Sequence, residues 1–174
     1  MQLTRRGVLI GAGAAGGLLV TWALTPRRFD PPLAAREGET AFNAWLKIGR
    51  DGVVSVAVPD LEMGQGITTL LPQVVAVELG ADWRQIAVEP APVSGAYANA
   101  PLAAEWRSMW MPLLPDMAEG DDSVLAKRFG EREAFMATAD GTSLAAHEAA
   151  ARAAAATARA MLAMAAAARW DVTW

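Results

Sequence analysis

Leu144 to Trp170 constrains this chain more than any other stretch. It is alanine-rich, and alanine is the strongest helix former, so the segment reads as one long helix. Its charges Glu148, Arg152 and Arg159 are spaced four and seven apart and share a narrow stripe. Nearly everything around that stripe is Ala, Met or Leu. A helix apolar over most of its circumference has to be covered, and the 174 residues hold little else able to cover it. The closing Asp171-Val172-Thr173-Trp174 reads like the start of another strand. The expectation is an N-terminal piece of a larger fold, or a chain that a partner covers.

Composition narrows the function classes. The length suits one ordinary domain, and a net charge of -4 with a pI near 5.0 argues against a nucleic-acid partner. There is no cysteine and a single histidine, His147, so a disulfide, an iron–sulfur cluster and a multi-histidine metal site are all excluded from this chain. Any redox centre must come with a cofactor that brings its own ligands.

Thr4-Arg5-Arg6-Gly7 leads into an apolar run from Val8 to Leu24, closed by Arg27-Arg28. Adjacent arginines ahead of such a run are the twin-arginine form of an export signal, so Arg5 and Arg6 predict delivery to the periplasm. No clean Ala-x-Ala site follows Leu24, which leaves an uncleaved membrane anchor open. Gly11-Ala12-Gly13-Ala14-Ala15-Gly16 matches a dinucleotide fingerprint but lacks the strand before it, and it is set aside as signal core. The predicted organisation is a signal or anchor over 1–28, a proline-containing linker over 29–40, and a folded domain over 41–174.

Within that domain, Asn43 to Ile48 and Val53 to Val58 flank Gly49-Arg50-Asp51-Gly52 and predict a β-hairpin. Ile67 to Leu79 predicts a helix ending at Gly80, Asp82-Trp83-Arg84 a turn, and Gln85 to Glu89 a strand. The order β-β-α-β gives an α+β class, part of a two-layer α/β sandwich with the long Ala-rich helix added. Ala100 to Arg132 shows no clear period and holds Trp106, Met109, Trp110, Met111 and Met117. It is read as a surface excursion of a larger protein or as a membrane or partner patch.

Two loops enter helices with ligand-binding chemistry. In Glu62-Met63-Gly64-Gln65-Gly66-Ile67-Thr68-Thr69, the glycines permit close backbone approach and the first helical turn offers free N–H groups that favour an anion. Gln65 and Thr68 add side-chain donors and acceptors. Thr138-Ala139-Asp140-Gly141-Thr142-Ser143 enters the Ala-rich helix in the same way, with simple N-capping by Asp140, Thr142 or Ser143 as the competing reading.

Together with the twin-arginine start, Trp45-Leu46-Lys47-Ile48, Glu78-Leu79-Gly80-Ala81-Asp82-Trp83, Tyr97-Ala98-Asn99 and the Ala-rich helix, these loops resemble a known family. It is the molybdopterin-binding large subunit of the xanthine dehydrogenase/aldehyde oxidase family, in its exported isoquinoline oxidoreductase beta-subunit branch. The resemblance implies an incomplete molybdopterin-binding domain that binds molybdopterin cytosine dinucleotide through Gly64, Gln65, Gly66 and Thr68, with Thr142 and Ser143 from the second loop. It implies molybdenum held by the cofactor, oxidation of an aldehyde or N-heterocycle with water as oxygen donor, a small 2Fe-2S subunit as partner, and the remainder of the large subunit. No catalytic or metal-ligating residue is assigned here, because the family's base lies far downstream. Glu62 and Glu78 are read as loop-stabilising or surface carboxylates. The second loop departs from the family pattern: Ala139-Asp140 stand where glycines are usual, and the arginine after the hydroxyls is absent. The alternative from another class is a non-catalytic truncated remnant or a membrane-tethered interaction module.

Overall fold

Leu46, Val54, Val56 and Val58 bring β-branched and aliphatic side chains to one short hairpin, and the sheet grows from it. The computed structural model describes residues 33–173 continuously and, before them, residues 11, 13, 14, 16–18, 20, 21, 25 and 28–30. The Arg5-Arg6 pair lies outside the described residues. Described positions between 11 and 21 are helical and exposed. Among the described residues no helix is long and apolar enough to cross a membrane.

Strands β1 (Glu39–Ala41), β2 (Leu46–Gly49) and β3 (Val54–Val58) pair antiparallel in sequence order, with Leu46 opposite Val56 and Ile48 opposite Val54. Helix α1 (Ile67–Leu79) then crosses back so that β4 (Ile86–Pro90) joins β3 in parallel, with Val56 opposite Val88. The result is a mixed four-stranded sheet with β3 in its interior. The α+β class expected from the sequence is the one observed.

Ile67, Leu71, Val75 and Leu79 recur every fourth residue on α1, and that stripe is buried with the sheet. Gly80 ends the helix in the left-handed conformation at φ 76°. Pro72 sits inside the helix, where its ring removes only the bond that would reach the Thr68 carbonyl. The opposite face of the sheet carries charge. Lys47 is buried between Glu39 at 3.1 Å and Glu89 at 2.9 Å.

The long helix α5 (Ser143–Trp170) runs along α1, with Ala151, Ala155 and Ala158 fully buried at the contact. It reaches the sheet where Asn43 donates to the Ala154 carbonyl. Its last turns are bare: Met161, Met164 and Trp170 are all exposed. Asp171 turns left-handed and the Val172 N–H bonds back to Ala167, so the expected strand does not begin at Asp171-Val172-Thr173.

The stretch between sheet and α5 is more structured than expected. Helices α2 (Ala100–Glu105), α3 (Arg107–Trp110) and α4 (Val124–Glu133) enclose a small core of Ala103, Ala104 and Ala126. Trp110 stacks on Phe129 with ring centroids 4.4 Å apart and donates to the Ala103 carbonyl. Met109, Leu113 and Met117 stay on the outside. The segment ahead of β1 is also engaged: Leu33 is buried and Ala34 accepts from Lys47.

Candidate functional site

The first loop leaves β3 through Pro59 and Asp60 and enters α1 at Gly66. Gly64 lies at φ 101° and Gly66 at φ 80°, both in the region where a Cβ is strained. With Gly66 at the cap position, no side chain of the cap can satisfy the first amides of the helix. Glu62 does so instead. Its Oε1 accepts from the Gly64 and Gly66 N–H groups, both at 2.9 Å, and its Oε2 from the Thr68 N–H at 3.1 Å and the Thr68 hydroxyl at 2.9 Å. The Gly66 N–H, followed by the Thr68 N–H and hydroxyl, holds this carboxyl at a pKa of about 2.

The loop is therefore an anion cradle, as its composition predicts, and the anion in it is the chain's own Glu62. Gln65 is likewise turned inward. Its Oε1 accepts from the Met63 N–H and its Nε2 donates to the Leu61 carbonyl, each at 2.6 Å. Of the positions singled out in this loop, Gly64 has the most open surroundings. A Cβ built there would meet nothing within 4 Å.

The second loop is locked more tightly. Asp140 is left-handed at φ 53°, and its carboxylate accepts from the Trp106 indole at 2.9 Å instead of capping α5. Thr142 and Ser143 are buried. The Thr142 hydroxyl donates to Ala139 O at 2.9 Å and accepts from the Asn99 amide at 2.9 Å, and it makes no side-chain cap. Asn99 is a hub missed by the residue-type reading. Fully buried, it also donates to the Ala137 carbonyl and accepts from the Leu102 N–H at the start of α2.

The two loops touch. The Thr138 hydroxyl donates to Asp60 Oδ1 at 3.1 Å and accepts from the Leu61 N–H at 3.0 Å. Asp60 Oδ2 lies 3.0 Å from His147 Nε2, and both side chains are buried. Nearby, Tyr97 meets Trp45 edge to face and donates its hydroxyl to the Ala44 carbonyl, and burial pushes its phenol above the ordinary range. A cleft of about 860 Å³ lies elsewhere, between α4, the Gly95–Pro101 stretch and the first turns of α5; His147 lines it, but no residue of the first loop does.

The geometry can be set beside known proteins. A family model described as the molybdopterin cofactor-binding domain matches residues 7–103, just over half of the chain, which includes the first loop and excludes the second. Isoquinoline 1-oxidoreductase subunit beta of Brevundimonas diminuta is 36% identical over 108 residues, covering 59% of this chain and 13% of that protein. The membrane-bound aldehyde dehydrogenase (pyrroloquinoline-quinone) of Gluconacetobacter polyoxogenes is 30% identical over 115 residues, covering 63% of this chain and 14% of that protein. The chain thus spans about a seventh of the length of these curated relatives. No solved structure matches it.

Proposed function

The chain belongs to the molybdopterin cofactor-binding domain family, and from that membership we propose that it contributes cofactor-binding loops to the large subunit of a molybdenum-dependent oxidoreductase. The observation that carries the reading is at the entrance to α1, where the N–H groups of Gly64, Gly66 and Thr68 and the Thr68 hydroxyl converge on one negative charge. Such a donor set fits a phosphate-bearing pterin, and the open space at Gly64 lets a ligand approach the backbone closely. In this reading the Gly64 and Gly66 N–H groups and Thr68 exchange their bonds to Glu62, and Gln65 its bonds within the loop, for bonds to the cofactor. Thr142 and Ser143 hold the second loop against it. When bound, the cofactor supplies the molybdenum centre at which substrate is oxidised; the chain's part is to hold and orient it.

The finer reading is a molybdopterin cytosine dinucleotide enzyme that oxidises an aldehyde or N-heterocycle with water as oxygen donor. The two relatives, an isoquinoline oxidoreductase subunit and an aldehyde dehydrogenase, support that substrate class. That the first relative is one subunit of its enzyme supports a multi-chain assembly, for which a small 2Fe-2S protein is the proposed electron acceptor. The bare flank of α5 supports cover by the remainder of a large subunit. Molybdenum and cytidine nucleotide, assayed on the purified full-length protein, test this reading. Both are expected in wild type and lost in Gly64→Val; a bound quinone with no molybdenum would overturn it.

A second reading, a non-catalytic remnant or a membrane-tethered interaction module, is favoured by one observation. The polar groups of the second loop are spent internally, with Asp140 on Trp106 and Thr142 on Asn99 and Ala139. For location we propose twin-arginine export through Arg5 and Arg6, supported by the apolar run after them. Replacing both with lysine is expected to leave the protein in the cytoplasm, and unchanged periplasmic recovery would refute it.

A further inference from the structure

Asp60 lies at the start of the first loop, two residues after β3, and its carboxylate is buried. One oxygen accepts from Thr138, and the other faces His147 Nε2 at 3.0 Å. Asp60 Oδ2 and His147 Nε2 are both buried and have no other hydrogen-bond partner, so each is the other's nearest polar contact. A buried carboxylate oxygen left without a polar partner is costly. In the first two turns of α5, Ser-Leu-Ala-Ala-His-Glu-Ala-Ala, it is the His147 imidazole that faces this oxygen. It is also the only histidine in the chain. Trp45 packs beside its ring, with centroids 5.6 Å apart.

We propose that His147 is a positioning residue for the first glycine loop, acting through Asp60. The pair fixes the point at which the chain leaves β3. Thr138, bonded to both Asp60 and the Leu61 N–H, fixes the second loop to the same point. The loop that enters α1 and the loop that enters α5 are thereby set in register by a buried contact between Asp60, two residues after β3, and His147 of α5. The functional weight of this rests on reading the first loop as a cofactor-binding loop.

Hydrogen exchange on the full chain, residue by residue, tests it in wild type, His147→Gln, Asp60→Asn and the double variant. Each single change is expected to speed exchange of the Leu61, Gly64 and Gly66 amides about tenfold or more while Val75 to Leu79 in α1 keep their protection. The double variant is expected to be no worse than the singles, because the two residues act as one unit. Unchanged loop exchange would overturn the proposal. So would additive effects, which mean that His147 acts through packing on Trp45 and not through Asp60. Asp60→Asn preserves shape, so it carries the test if His147→Gln fails to fold; global loss of protection in Asp60→Asn would also overturn it. Molybdenum content of the full-length variants separates the two readings. Faster loop exchange with undiminished molybdenum upholds the positioning role and removes the loop from cofactor binding.

Discussion

Glu62 and Thr68 are joined twice across the entrance to α1, the Thr68 N–H donating to Glu62 Oε2 at 3.1 Å and the Thr68 hydroxyl to the same oxygen at 2.9 Å. The cap of this helix thus comes from a residue four positions before the cap glycine. A charged carboxylate there also complements the positive end of the helix dipole. The reading of Glu62 as a loop-stabilising carboxylate agrees with this geometry.

The pH dependence follows from that contact. The folded pKa of Glu62, about 2, lies below the ordinary 4.5. Its contribution to stability is therefore complete above 4.5 and is lost as pH falls from there through 2. The Gly66 and Thr68 amide shifts are expected to titrate with a midpoint near 2, and the titration should vanish in Glu62→Ala. A midpoint near 4.5 would mean that these amides do not hold the carboxylate.

Gln65→Ala removes two bonds, to the Met63 N–H and the Leu61 carbonyl, while leaving both glycines. Each neutral bond lost costs about 0.5–1.5 kcal/mol. The loop is expected to open more often, with faster exchange at Met63 and a lower yield of cofactor-loaded full-length protein. Wild-type exchange at Met63 would show that the side chain does not brace the loop.

Close packing of α5 on α1 depends on small side chains. Ala155→Leu puts three extra carbons into a fully buried contact and should destabilise by about 1–3 kcal/mol. Ala153→Leu, on an exposed position of the same helix, should be close to neutral. Equal denaturant midpoints for the two variants would contradict the observed helix pairing.

The far end of α5 offers an association surface, with Met161 50% and Met164 56% exposed. Freed of its first 28 residues, the chain is expected to self-associate and to melt broadly. Met161→Glu with Met164→Glu should restore a monomer in sedimentation. A monomer with a sharp, cooperative transition before any change would show that the flank needs no cover.

Helix α1 was legible because everything local agrees: a buried stripe every fourth residue, Gly66 before it and Gly80 after it. The hairpin was legible for a similar reason, its turn residues standing between two valine- and leucine-bearing runs. Strand β1 was not. Glu39-Thr40-Ala41 is three residues long, has no alternation to detect, and owes its place to pairing with Ala41 opposite Lys47. Helices α2 and α3 are only six and four residues long and lie among Pro101, Pro112 and Pro115, too short to show an apolar period, and α4 is a ten-residue stretch in which charged residues outnumber large apolar ones. In the candidate site, the glycines and the preference for an anion could be read from composition. That Glu62 fills the cradle, and that Asp60 meets His147 from 87 positions away in sequence, depends on where the fold brings the chain.

Alanine makes up 16 of the 28 residues of α5. An alanine has no rotamers to surrender on folding, whereas each long flexible side chain gives up as much as about 2 kcal/mol of conformational freedom. Ordering this helix therefore costs no side-chain freedom at more than half of its positions. That lowers the cost of extending the helix to the turns where Met161, Met164 and Trp170 stay exposed, and a surface arriving there would meet a helix with much of its ordering already done.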